Sequence, residues 1–244
     1  MPVLSANLSP REKEASLGEV VEASTAYFRA QCPRSLLHEP PELGAFVKIT
    51  PSGATAAPAE NLANSAPPED DPFADPPARS NLALERADAP DGSLYAVVCL
   101  AATGPSEPGR RASAYGLDEN ALREQQPQIF ELLCTEFVAR PVAHVEAGRI
   151  RIALPPRPPR LHAPTLDCGD RETCAIADAP DFLRALLAFP IESNADEIIV
   201  ACLRRAFKAC DQDFAFLVRA GKRLALLLRD DPERLAALLR KLEP

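Results

Sequence analysis

Proline decides where this chain can be helical. Of its 26 prolines, 24 fall within residues 1 to 190 and two beyond. A proline has no backbone N–H and its ring collides with the preceding turn, so no helix of many turns runs through so densely punctuated a stretch. The larger, N-terminal part must be short strands, turns and brief helices, and long helices are left to the C-terminal end.

Strand signals fill the first part accordingly. Glu19 to Ala23, Ala26 to Ala30 and Gly44 to Thr50 are short β-type runs separated by Ser, Pro and Gly. Leu94 to Leu100 is apolar without alternation, which predicts a strand in the middle of a barrel or sheet. Glu136 to Val145 and Arg149 to Leu154 are joined through Ala147-Gly148 and read as a hairpin. Ile150, Ile152 and Leu154 alternate with Arg149 and Arg151, so one face is buried and the other meets solvent or a partner. Pro141 requires an edge position or a bulge. Six such strands predict a small closed barrel, because closure removes exposed edges. Two small helices, Leu117 to Gln125 capped by Asp118 and Gln128 to Cys134, interrupt it around Pro127.

Residues 51 to 92 differ from their surroundings. They hold eight prolines and eight acids against two arginines, a balance of −6 out of the chain's net −8. With Phe73 the only large aromatic, this segment has too little apolar surface to offset its ordering entropy and is expected to be a disordered, solvated insertion.

Beyond the proline arm Leu154 to Pro164 the period changes. Phe182, Leu183, Leu186 and Leu187 share one helical face. Asn194 and Glu197 form a capping-box pattern before the stripe Ile198, Ile199, Cys202, Leu203, Phe207 and Cys210. A third helix follows around Leu217 and Leu224, and Asp231-Pro232 starts a fourth through Leu242. The expectation is an α+β protein: a flexible N-terminus at 1–16, a six-stranded barrel at 17–165 with a helical insertion, a linker at 166–180 and a C-terminal α-helical bundle at 181–244.

Chemistry is hard to find. Gly221-Lys222 is the sole Gly-Lys pair, but Phe216 occupies the first glycine's place in a phosphate loop and Arg223 that of the Mg²⁺-binding hydroxyl. His38, His144 and His162 have no Ser or Cys nearby in sequence with triad logic. Seven cysteines without a Cys-x-x-Cys pair predict reduced thiols, and His162, Cys168 and Cys174 lack the tight spacing of zinc ligands. No catalytic, cofactor or metal residue is therefore expected. The polar N-terminal stretch and the absence of a long apolar run predict a cytoplasmic protein without membrane insertion. Basic residues gather at Arg110 and Arg111 and again at Arg149, Arg151, Arg157 and Arg160, a surface for phosphates or acidic side chains. Aromatic residues for base stacking are missing among them, which favours a protein partner over nucleic acid; homo-oligomerisation is left open.

Four segments carry a family resemblance: Leu17 to Thr25, Pro40 to Val47, Tyr95 to Val98 and Pro108-Gly109-Arg110-Arg111, with Thr135 to His162 following. Together they resemble the HAS-barrel family, the last stretch most like its stand-alone cyanobacterial members. The family takes its name from the β-barrel that begins HerA-type DNA translocases and, in related form, ATP synthase subunits. The resemblance covers roughly residues 17 to 165 and not the helical tail. It implies a non-enzymatic assembly or protein-binding adaptor or, alternatively, an accessory factor that binds DNA or a translocase, and it carries over no catalytic residue.

Overall fold

The structure, a computed structural model, describes residues 16–51, 89–107, 109–179, 181–188 and 195–242. The expected flexible N-terminus, except Ser16, and most of the expected acidic insertion lie outside these residues, as does Asn194 of the capping box. The described chain is α+β, with seven strands: β1 (Gly18–Ala23), β2 (Phe28–Gln31), β3 (Phe46–Ile49), β4 (Leu94–Pro105), β5 (Leu133–Glu146), β6 (Arg149–Arg151) and β7 (Pro164–Asp167). Its seven α-helices are α1 (Glu119–Gln125), α2 (Gln128–Glu131), α3 (Asp170–Ala177), α4 (Phe182–Leu187), α5 (Ala195–Ala209), α6 (Phe214–Leu227) and α7 (Pro232–Leu242).

The sheet runs β2-β1-β7-β3-β4-β5-β6, and β2 also pairs with β5, which closes six antiparallel strands into a barrel. The number of barrel strands matches the sequence reading; the identity of one does not. β6 pairs with β5 alone, as the far arm of a hairpin, and β7 takes the sixth place between β1 and β3. The cause is the proline arm. It carries the chain from the hairpin around the barrel, where Val20 N–H donates to the Ala163 carbonyl at 3.0 Å and His162 N–H to the Val20 carbonyl at 2.8 Å. These bonds lead Thr165 onto β1 and Leu166 onto β3. The linker expected at 166–180 is corrected likewise: its first residues complete β7, and Asp170–Ala177 is a helix.

Alternation along the strands sorts side chains between two cores. Val47 and Ile49 of β3, Leu94, Ala96 and Val98 of β4, and Phe137 and Ala139 of β5 join Val20 and Phe28 in one buried cluster inside the barrel. Phe46, Tyr95, Val97, Cys99 and Val142 point the other way and share a second cluster with Phe182, Leu183, Ile199, Leu203 and Leu224 of the helices. This explains the unbroken apolar run of β4: it is covered on both faces. Phe46 and Phe182 stack at 5.5 Å between ring centroids. α5, the most apolar helix face, packs against α3, α4, α6 and α7.

Local rules are visible throughout. Pro141 sits where the β4–β5 register slips between Tyr95 and Ala96, so the bulge absorbs the residue that cannot donate. Asp118 accepts from Ala121 N–H at 2.8 Å, and Asp231 from Arg234 N–H at 3.1 Å. Ala147 and Gly148 both have positive φ, 51° and 71°, the geometry of a tight hairpin turn. Among the described residues no helix is long and apolar enough to cross a membrane.

Candidate functional site

The six arginines of the sequence reading do not form one surface. Arg110 and Arg111 follow the far end of β4, roughly 35 Å along that strand from Leu94 at a rise of about 3.3 Å per residue. Arg110 is held by Glu107 at 3.1 Å, and Arg151 by Glu146 at 3.3 Å. Arg149 lies exposed in β6, on the hairpin whose Gly148 N–H donates to Asp91 at 2.7 Å.

Arg157 and Arg160 are brought together. Both line a cleft of about 660 Å³ between the proline arm and the strand ends Ile49–Pro51 and Gly92–Leu94. Prolines 155, 156, 158 and 159, Leu161, His162 and Ala163 make up the rest of the arm's wall. Pro155 is buried, whereas Arg157 and Arg160 are exposed and form no ion pair with a described residue. Among the described residues no carboxylate lines the cleft. In a chain of net charge −8, this local excess of positive charge stands against the average.

The arm is fixed at both ends. At its start the Ala153 carbonyl lies 3.3 Å from His144 Nδ1, and at its end the two bonds to Val20 tie it to β1. His162, with φ 64°, turns its ring to Glu19, its Nδ1 meeting a carboxylate oxygen. Between these anchors each proline ring holds φ near −65° and restrains the residue before it, so the arm keeps its shape with little entropy to lose on contact. Leu154 and Leu161, more than half exposed at 54% and 56%, stand on the same arm. Exposed leucines thus stand beside guanidinium groups without an ion-pair partner among the described residues, an amphipathic surface.

Sequence reasoning missed two polar constellations. Glu172 of α3 accepts from Tyr95 Oη at 3.0 Å and Lys48 Nζ at 3.1 Å, joining helix to barrel. Asp178, almost wholly buried, receives two bonds from Arg219 at 3.0 and 2.9 Å and lies 3.5 Å from Arg223. Glu172 and Asp178 sit far from their partners in sequence, so no spacing rule could pair them. Both constellations are saturated by their own chain and act as fastenings between elements.

The thiol reading is corrected. Cys174 and Cys210 form a disulfide with Cα atoms 5.2 Å apart, joining α3 to the end of α5. The two apolar helix faces meet there, and their cysteines fall within bonding distance only because α5 packs on α3. Cys32, Cys99, Cys134, Cys168 and Cys202 are free, all buried except half-buried Cys134. Burial pushes the Cys32 thiol up to about 11 and that of Cys99 up to about 12, which keeps them protonated and unreactive. Cys174 is taken up by the disulfide and Cys168 is buried, so His162, Cys168 and Cys174 are not placed as a ligand set, and among the described residues no group of three His, Cys, Asp or Glu side chains is placed to hold a metal ion. Gly221-Lys222 lies inside α6, not in a phosphate loop. No family model and no curated protein matches the chain.

Proposed function

We propose that the chain is a non-enzymatic protein-binding adaptor, a barrel and helices that hold the proline arm out as a contact surface. The observation that carries this reading is the pair Arg157 and Arg160, exposed, without an ion-pair partner among the described residues and lining a cleft on an arm anchored at both ends. Unpaired charges on a preorganised surface contribute to association rather than to folding. The resemblance to the HAS-barrel family, in which the barrel is an assembly module, supports the same reading from residues 17 to 165. DNA is the weaker candidate, because among the described residues no Phe, Tyr or Trp lines the cleft to stack on a base.

The test is the double substitution Arg157→Ala/Arg160→Ala, with Arg110→Ala/Arg111→Ala at the far end of β4 as control. The arm variant keeps its melting temperature and loses recovery of the main co-purifying protein, most clearly at low salt. The control loses none. A lowered melting temperature with unchanged recovery assigns the arm to the barrel's own stability and refutes the proposal.

A further inference from the structure

Resting on the arm as contact surface, we infer that the cleft takes an acidic, extended peptide segment of a partner protein: two carboxylates a few residues apart, with an apolar side chain between them. Size comes first. About 660 Å³ exceeds what one ion fills and lies in the range of cavities that seat a short peptide's side chains. The wall chemistry comes second. Ile49 and Leu94, the last residue of β3 and the first of β4, border the cleft at the strand ends with their side chains in the barrel core, and the arm's prolines and exposed Leu161 supply the apolar lining. Prolines present only carbonyl acceptors and hydrocarbon, so positive charge comes from Arg157 and Arg160. A cationic ligand would find no carboxylate among the described lining residues.

Spacing narrows the ligand further. Arg157 and Arg160 are three residues apart, at most about 10 Å along an extended backbone. An extended ligand with carboxylates two to four residues apart meets both guanidinium groups, each able to take a carboxylate in a two-pronged bond. The residue between them then faces the apolar lining. An extended backbone suits the site because the arm, held by its prolines and bent at Pro156–Arg157, offers a long narrow wall without a helix or strand of its own. The chain leaves the described structure at Pro51 and returns at Ala89, beside this cleft, so its own acidic residues 52 to 88 are the competing occupant that the experiment must separate.

The experiment is fluorescence anisotropy on the intact chain with three labelled probes: a synthetic peptide with two aspartates three residues apart around a phenylalanine, the same peptide with lysines for aspartates, and a short oligo-dT. Binding of the acidic peptide alone is expected, weakening several-fold from about 50 to about 300 mM salt. Arg157→Ala/Arg160→Ala weakens it at least tenfold, and Leu161→Ser weakens it with the salt dependence retained. Equal binding of the lysine peptide or the oligonucleotide overturns the inference. So does acidic-peptide binding that appears only when residues 52 to 88 are replaced by a short Gly/Ser linker, since the chain's own segment is then the occupant. If the acidic peptide fails while the arm variant still loses its co-purifying protein, the partner's chemistry is wrong and the arm remains the contact surface; if neither responds, both readings fall.

Discussion

At the scale of single residues the fold shows where a side chain is tolerated and where it is required. Ser93 is fully buried and its hydroxyl is the one buried side-chain oxygen or nitrogen among the described residues without a hydrogen-bond partner. Removing an unsatisfied hydroxyl relieves a desolvation cost, so Ser93→Ala should leave stability unchanged or raise it by up to about 1 kcal/mol in urea unfolding. A loss of more than that would show that the hydroxyl has a partner after all. Thr165, equally buried, is the contrast: its hydroxyl donates to the Gly18 carbonyl at 2.8 Å, and Thr165→Val should cost about 1 kcal/mol. Gly44 is required by its surroundings. Its φ is +76°, and an added Cβ would stand 2.6 Å from Ala201 Cβ and 2.7 Å from the Cys202 backbone nitrogen on α5. Gly44→Ala should therefore lower stability by about 2 to 3 kcal/mol, through a clash between barrel and helix that neither backbone can yield to. The glycine was visible in the sequence as a strand-opening residue; its neighbour, 157 positions later, was not.

At the scale of elements, two fastenings hold the helices together. The disulfide closes α4 and α5 into a loop between Cys174 and Cys210, 36 residues apart in sequence, and loop-closure entropy assigns such a link about 4 kcal/mol. Thiol counting checks it directly. Denatured without reductant, the chain should titrate five thiols, and after reduction all seven; in the native protein half-buried Cys134 should react first, because the other four free thiols are buried out of a reagent's reach. Seven thiols before reduction would remove the disulfide from the account. Asp178 is the second fastening, bound by two arginines of α6 at the end of α3. Asp178→Ala removes the carboxylate that Arg219 and Arg223 share, leaving Arg219 only Asp213 at 4.0 Å and Arg223 only backbone carbonyls such as that of Ala179. A loss of about 3 kcal/mol is expected, toward the low side because both guanidinium groups retain some access to water. An unchanged urea midpoint would show that solvent already screens the three charges.

At the scale of the molecule, barrel and helices share a hydrophobic cluster instead of meeting across a linker. Phe46, Tyr95 and Val97 are fully buried beneath the helices. Helix circular dichroism and tyrosine fluorescence should therefore report one coincident unfolding transition. A fragment spanning 17 to 165, which ends inside β7 and uncovers that face, should fail to melt cooperatively; an independent sharp melt of the fragment would restore the two-unit picture. What the sequence determined by itself is what local rules govern: helices excluded by proline, strands marked by β-type runs, the hairpin at Ala147-Gly148, the caps at Asp118 and Asp231, and the proline arm with its two arginines. These follow from each residue's own dihedral limits and hydrogen-bonding groups. Closure through β7 in place of β6, the Cys174–Cys210 bond, the Asp178 fastening, and the separation of Arg157 and Arg160 from Arg110 and Arg111 were decided only in three dimensions. Each depends on contacts between residues distant in the chain, and no spacing in the sequence records the packing that brings such residues together.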